Sequence, residues 1–513
     1  MASQTSSSSR GAERLAQPLT LPCGRTAPNR LAKAPMEEML GHFGGSAPTP
    51  AILRLYRHWA KGGWGIVITG NVAIDSTHLG MPFDMTLPPP PHRSPALLEA
   101  FRAYADAASG RDCGVPAERR PLVVVQLVHA GRQSMRGAGR APWRPSLGPS
   151  PVPMAPSADL GAVGKALDWA LFGPVQELSI AQIEDLVDRF ASAAELCAKA
   201  GFDGVEIHGS HGYQLAAFLS PKTNLRTDKY GGDARGRARL LMEIVEETRK
   251  RVPKDFALGV KLNSADYVQG GLTEEDALQN VQWLAEQGGV DFVEISGGNY
   301  ENPSFMTEGF DADAELRKLA GDTTVSAPAR VQEASAGGKK PSARSQAREA
   351  FFQSFAKRCR ESLPADSKMK LILTGGLRTR GGMAGALEGS NVDAVGIGRM
   401  AAVYPDLPLT VLDTSVPDDS AQASPPPYKI KGAGVLGKLP LKMVGAGWGT
   451  LWHNGAMTYL AQDKPVNVNA GPLRTVAGIL APSLFNSRVH AAIIALLVAL
   501  LAFLPGIARP KTA

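Results

Sequence analysis

The sequence predicts an α/β chain: a (β/α)8 TIM barrel with active-site loop insertions and a C-terminal helical tail. Three observations carry this expectation. Short apolar runs of four to seven residues recur eight times between Leu31 and Arg399. Most are continuous Val/Ile/Leu runs, the pattern of strands buried on both faces of a parallel sheet. Amphipathic stretches with helix signals separate them, and two long insertions each follow the C-terminal end of a run, where barrels build their sites. A doubly wound parallel sheet is the competing α/β arrangement.

In chain order the runs are Leu31–Ala34, Gly65–Thr69, Leu122–Leu127, Gly204–His208, Leu258–Leu262, Phe292–Ile295, Leu371–Thr374 and Ala394–Ile397. Lys33 interrupts the first. Between them, Ser179-Ile-Ala-Gln182 is a capping box opening a helix through Lys199, which Gly201 closes. Thr273-Glu-Glu-Asp276 opens another, closed by Gly288-Gly289. The insertions are Ala130 to Pro174, Pro- and Gly-rich and expected as a lid, and Glu301 to about Pro341, polar and expected to be disordered in its middle.

Residues 1–14 read as a Ser-rich leader with no apolar signal core, 15–415 as the barrel, and 416–430 as a linker around Ser424-Pro-Pro-Pro427. The remainder, 431–513, is an extension in which Trp448 and Trp452 stand one helical turn apart, as in a helix capping the barrel or a binding surface. Near its end Ala491 to Leu504 are fourteen apolar residues without a charge, about nineteen when counted as 489–507. That is a marginal bilayer span, an interfacial helix or a buried helix, since a full span needs about 20. A cytoplasmic barrel with a C-terminal membrane anchor is the expectation.

Composition narrows the classes further. The chain has 513 residues, 44% of them hydrophobic, enough for a large core, and 55 Gly and 39 Pro, below the low-complexity range. Its four cysteines, Cys23, Cys113, Cys197 and Cys359, form no C-x-x-C pair, which argues against a disulfide scaffold and a cysteine-bound metal. Net charge is +7, but nine Lys or Arg against one acid, Asp463, follow Pro425, so the body is near neutral. With no basic stripe across that body, a nucleic-acid partner is not expected.

Chemistry-bearing residues gather at the ends of the runs. Gly375-Gly376 and Gly398-Arg399 end the seventh and eighth, where barrels often bind phosphate: glycine admits close backbone N–H groups and arginine adds a charged fork. Gly396-Ile-Gly398-Arg-Met-Ala401 fits a dinucleotide fingerprint, but no βαβ unit follows it. In Gly204-Val-Glu-Ile-His208-Gly-Ser-His211-Gly-Tyr213 two imidazoles can donate to one substrate oxygen and a phenol can supply a proton. Metal ligation by the two histidines lacks a third ligand at motif spacing. Gln126 and Lys261 interrupt otherwise apolar runs, so each needs a partner, a ligand or an anion.

These segments resemble the old yellow enzymes, or NADH:flavin oxidoreductases. The likeness is carried by Val124-Val-Gln-Leu-Val-His-Ala-Gly-Arg-Gln133, by Ala200 to His208 with Leu219-Ser-Pro221 and Arg226 to Gly232, and by Glu294-Ile-Ser-Gly-Gly298 and Thr374-Gly-Gly376, over about residues 17–410. The resemblance implies FMN, reduced by NADPH or NADH. It places Pro35, Met36 and Gly70 against the flavin, Gln126 at its pyrimidine edge, Lys261 near N1, and Gly375, Gly376, Gly398 and Arg399 at the phosphate. His208 and His211 would bind the substrate's carbonyl or nitro oxygen, and Tyr213 would protonate. Glu37 stands where the family usually has Thr or Cys, and Lys261 where many members have Arg. The implied reaction is hydride transfer through FMN to an activated alkene. The alternatives are a flavin-free barrel acting on a phosphorylated substrate and a membrane-tethered flavoprotein of weak activity serving as a partner. The oligomeric state is not readable.

Overall fold

The structure, a computed structural model, describes residues 9–154, 169–297, 343–430 and 442–472, with five more between 474 and 479. Each of the eight apolar runs forms a strand: β1 (Leu31–Lys33), β2 (Ile66–Ala73), β3 (Leu122–Val128), β4 (Gly204–Gly209), β5 (Ala257–Asn263), β6 (Phe292–Ser296), β7 (Lys370–Thr374) and β8 (Ala394–Ile397). Sequence neighbours pair in parallel, and β1 pairs with both β8 and β2, which closes the barrel. The helices of ten or more residues between and after the strands are α1 (Pro50–Lys61), α2 (Pro95–Ser109), α3 (Ile180–Ala200), α4 (Ala234–Arg251), α5 (Glu274–Gln287), α6 (Ala343–Ser362), α7 (Arg380–Gly389) and α8 (Lys442–Leu460).

Local chemistry sets the boundaries. Both capping boxes form: Ser179 with Gln182 opens α3, and Thr273 with Asp276 opens α5. Gly201 ends α3 at φ +90°, a left-handed conformation that costs other residues about 1 kcal/mol or more. At the barrel floor, aspartates preceding even-numbered strands reach back to the strand before: Asp203 accepts from Val123 N–H, Asp291 from Leu258 N–H and Asp393 from Leu371 N–H. A short hairpin, Leu19–Thr20 with Thr26–Ala27, buries Leu19, Leu21 and Ala27 against inward side chains such as Ile66, Val124, Phe292 and Ile372. The larger apolar cluster lies between strands and helices.

Three boundaries differ from the expectation. A helix, Arg10–Leu15, occupies the end of the assigned leader and buries Ala12 and Leu15. Residues 416–430 are fastened down rather than linking. Buried Arg380 donates from Nη1 to Val416 O at 2.6 Å and to Asp418 Oδ1 at 3.3 Å, and its backbone N–H meets Ser424 Oγ. The extension likewise supplies the eighth helix of the barrel. Arg54 on α1 donates to Ala461 O at 2.7 Å, and Trp448 and Trp452 are buried in one cluster with Val403. A helix capping the barrel was the expectation for Trp448 and Trp452; what the sequence did not show is that it closes the ring of helices.

The first insertion packs on the barrel: its strand Ser146–Gly148 pairs with Val175–Glu177, Leu225 N–H donates to Ser150 Oγ at 2.9 Å, and Arg226 donates to Pro149 O at 2.9 Å. The second insertion lies outside the described residues, as do residues 1–8 and the apolar segment 489–507. Among the described residues no helix is long and apolar enough to cross a membrane.

Trp452 is 2% exposed, stacks on Tyr428 with ring centroids 5.5 Å apart, and donates Nε1–H to Ala470 O. Trp452→Ala is expected to cost about 3–5 kcal/mol in denaturant unfolding of the whole barrel. Destabilisation confined to a separate, earlier transition would show that α8 folds apart from it.

Candidate active site

A pocket opens at the C-terminal ends of the strands. Its wall takes Pro35, Met36 and Glu37 after β1, Asn71 on β2, Gln126 on β3, His208, His211 and Tyr213 from β4 and its turn, Lys261 on β5, Gly375 and Gly376 after β7, and Gly398 and Arg399 after β8. Sequence reasoning named all of these except Asn71. It also named Gly70, which the structure removes from the wall. The β2–β3 register shifts between Ile68 and Asn71, and the Gly70 N–H turns to Glu38 Oε1 at 3.0 Å and Tyr56 Oη at 2.8 Å. That irregularity presents the neighbouring Asn71 amide to the pocket instead.

The polar strand residues are partnered within the barrel. Lys261 Nζ donates to Glu294 Oε1 at 2.6 Å, both groups buried. The buried lysine thus has its anion in the protein, and the pair brings the pocket wall little net charge. Gln126 Nε2 donates to Glu206 Oε2 at 2.6 Å, leaving its amide oxygen as the acceptor for a bound N–H. Burial, then Glu294, pushes Glu206 well above the usual carboxylate range, while Lys261 draws Glu294 below it against the cost of burial.

The two histidines are neutral at pH 7. Burial pushes His208 well below its ordinary value, aided by His211 and Lys261; burial and Lys261 bring His211 to about 3. His208 Nδ1 accepts from Ser210 N–H at 3.2 Å, which assigns the ring hydrogen to Nε2. His211 holds a left-handed backbone, φ +59°, secured by Asn263 Oδ1 on its N–H, by Gln133 on its carbonyl and by Ser296 Oγ, 2.9 Å from its Nε2. Strain of that kind persists only where the surroundings fix it. Tyr213 is 2% exposed and packs edge-on to His208, with centroids 4.9 Å apart.

The opposite end suits an anion. Gly375 and Gly376 adopt φ +144° and +72°, conformations that favour glycine and let successive N–H groups converge. Arg378 and Arg399 line the same end with Tyr428 and Thr450. Sequence reasoning missed these last two and Arg378. Arg378 follows the double glycine and was readable; Tyr428, from 416–430, and Thr450, from the extension, arrive without a motif. Nearby, His453 accepts from Tyr428 Oη at 2.7 Å, and burial, with Arg399, brings its ring to about 3.

Among the described residues one trio has metal-ligand spacing: Asp75, His78 and His129, beside the first insertion. Its hydrogen bonding opposes a metal. His78 Nε2 accepts from Leu147 N–H and His129 Nδ1 from Gly131 N–H, so the nitrogens facing Asp75 carry hydrogens. The trio is a clamp on the insertion: Asp75 lies far below the usual carboxylate range, its bonds to His129 and His78 outweighing burial.

A family model for the NADH:flavin oxidoreductase / NADH oxidase family matches residues 14–302. An NADH-dependent flavin oxidoreductase of Neonectria sp. (strain DH2) is 38% identical over 397 residues, 77% of this chain and 46% of that protein. Another from Hypocrea jecorina (strain QM6a) is 36% identical over 425 residues, 82% of this chain and 95% of that one. The chain thus spans under half of the first relative and nearly all of the second. The old yellow enzyme homologue from Zymomonas mobilis shares the fold at TM-score 0.56 and 21% identity, over 80% of this chain and 95% of that one.

Buried histidines kept neutral make folding pH-dependent. His78 lies at about 4, His453 at about 3 and His208 well below 6.5 in the folded chain, burial being the first cause of each. Unfolded, they take protons as pH falls through about 6.5. His211, at about 3, behaves the same way, so each buried ring makes the unfolded state bind about one more proton below pH 6, about 1.4 kcal/mol per pH unit. The buried carboxyls Glu37, Glu206 and Asp84, all raised, act in the opposite sense by keeping protons in the fold that the unfolded chain releases. Denaturant unfolding at stepped pH in wild type and His453→Gln isolates one ring: between pH 6 and 5 the variant's stability should fall less steeply by about one proton, and an equal slope would mean that His453 is already charged in the fold.

Proposed function

We propose, from the premise that the chain belongs to the NADH:flavin oxidoreductase / NADH oxidase family, that it passes hydride from NADH or NADPH through FMN to an alkene conjugated to a carbonyl or nitro group, with Tyr213 as proton donor. The observation that carries the reading is the convergence of two neutral imidazoles and a buried phenol at one end of a pocket whose other end is built for an anion.

The residues present fit FMN. The double glycine, Arg378 and Arg399 would hold its phosphate, Pro35 and Met36 would pack on its ring, and the Gln126 amide oxygen would accept from a ring N–H. FMN, when bound, supplies the two-electron hydride chemistry. The protein supplies the rest. His208 Nε2–H and the His211 ring would polarise the substrate oxygen, so that negative charge gathers there as the β-carbon accepts hydride. Neutral rings can fill that role, because each retains one N–H to donate. Tyr213 Oη would then protonate the α-carbon.

A flavin-free barrel acting on a phosphorylated substrate needs only the anion end and leaves the histidine–tyrosine end unexplained. An absorption spectrum of the purified protein separates the two readings: a bound yellow chromophore, bleached by NADH and restored by an enone, is expected here. Tyr213→Phe is expected to leave bleaching by NADH nearly intact and to slow the enone-dependent return by roughly 10²–10⁴. Equal slowing of both halves in stopped-flow would remove Tyr213 from the acid role.

The apolar run Ala491 to Leu504, flanked by Arg488, Arg509 and Lys511, supports a further tether to a membrane surface, with the barrel in the cytosol. Truncation after Asn486 preserves every contact described above. It is expected to shift the protein from pellet to supernatant on cell fractionation with its flavin bound. Full-length protein already in the supernatant at high salt without detergent would reject the tether.

A further inference from the structure

Tyr213 shares its hydroxyl with a carboxyl group. Its Oη donates to Glu37 Oε1 at 2.6 Å, and Asn71 Nδ2 donates to the same oxygen at 2.5 Å. The three side chains come from the loop after β1, from β2 and from the turn after β4. A Cβ placed on Gly80 would lie 2.7 Å from Glu37 Oε1, 2.9 Å from Tyr213 Oη and 3.1 Å from Asp84 Oδ2, so these groups meet across one glycine. From the extension, Asn454 Nδ2 donates to the Glu37 carbonyl at 3.0 Å and fixes its backbone.

We infer that Glu37 is a positioning residue that hands its proton to Tyr213, so that the acid of the alkene step is the Tyr213–Glu37 pair rather than the phenol alone. This rests on the reading of Tyr213 as proton donor. The Tyr213 O–H bond breaks as a C–H bond forms at the α-carbon. The phenolate oxygen takes the carboxyl proton of Glu37, and the carboxylate left behind recovers a proton from water through the pocket it lines. Both electrons of the reduction come from the nicotinamide hydride; the pair contributes one proton and no redox change.

The surroundings suit that exchange. Among the described residues, Glu37 faces Tyr213, Asn71, Glu38 and Asp84, with His208 against the far side of Tyr213 and Lys33 beyond Glu38. Burial, then the nearby Glu38, raises Glu37 to about 7, while its bonds from Tyr213 and Asn71 pull the other way. Burial and Glu37 likewise push Asp84 well up, so the like charges do not accumulate. A donor near the working pH can both give and recover a proton on each turnover.

The test uses the FMN-loaded full chain, with NADH and a simple enone. In wild type the enone-dependent rate is expected to fall about tenfold per pH unit above about 7. In Glu37→Gln, which keeps the side-chain shape, that limb should vanish and the rate at pH 6 should drop about tenfold or more. The same limb in the variant overturns the inference, as does a variant altered only in flavin reduction by NADH. Infrared difference spectra give a readout free of turnover. A protonated carboxyl band should titrate near neutral pH, be missing in Glu37→Gln, and titrate higher in Tyr213→Phe, which removes a bond favouring the ionised form. No such band between pH 6 and 8, or an unmoved midpoint, overturns the pair. If wild type consumes NADH but reduces no enone, the substrate reading fails, and the infrared titration still decides whether the pair exists.

Discussion

The buried ion pair of Lys261 and Glu294 is the interaction on which the site depends. Two charges inside a barrel are costly to desolvate, and removing either partner strands the other, a loss of about 3–5 kcal/mol in comparable pairs. The pair joins β5 to β6 at the register where Lys261 lies beside Glu294 across the ladder. Its influence then spreads sideways. Because Glu294 holds the lysine, neighbouring Glu206 has no full cation of its own and keeps its proton, and Gln126 is oriented by it. On the other side the lysine's charge is among the causes that keep His208 and His211 neutral. One pair thus adds to burial in keeping neutral the imidazoles that would meet substrate, and through Glu206 it bears on the direction of the amide that would meet cofactor.

Much of the fold was legible because a parallel barrel imposes a strong pattern. A strand covered on both faces has to be apolar throughout, and eight such runs with helix caps between them leave few other solutions. Lys33, which weakened the first run, is accommodated in the fold. Its ammonium donates to Ile68 O at 2.9 Å and lies 4.2 Å from the Trp59 ring centroid, and burial lowers it to about 8. No local sequence rule discloses such a lysine, because its partners are on α1 and β2. The eighth helix was expected as a helix capping the barrel, but its place in the ring beside α1 was not legible, for a similar reason. Its glycines and polar residues obscure amphipathic periodicity, and its burial is created by α1 and by the segment after β8.

The candidate site divides along the same line. Gln126, His208 and Lys261 were visible because a polar group inside an apolar strand demands a partner. The double glycine was visible because its position after β7 gives it a use. Gly70 was misplaced because a local break in strand register turned the next residue, Asn71, to the pocket. No sequence pattern forecasts a register break of that kind. Glu37 was visible as a departure from the family's usual residue, but its meaning was not: Tyr213, which it bonds, is 176 positions away. Read as a carboxylate beside a flavin it is a penalty; read with its neighbours it is a group that burial holds close to neutrality.

The extension draws these observations together. It supplies Thr450 to the anion end of the pocket, beside Tyr428 of 416–430, and Asn454 to the backbone of Glu37 near the phenol. Those contacts span the pocket from one helix and the segment preceding it, so both ends are referenced to a common rigid body. Trp452 and His453 secure that body by stacking on, and hydrogen bonding to, Tyr428, and Arg54 and His58 on α1 fasten its last turn through Ala461 and Asp463. Moving α8 would therefore shift the carboxyl partner of Tyr213 and the anion-binding wall together. In a barrel whose candidate site residues otherwise come from separate strand ends, this gives the last helix control over their relative placement, which a mere tail could not exert.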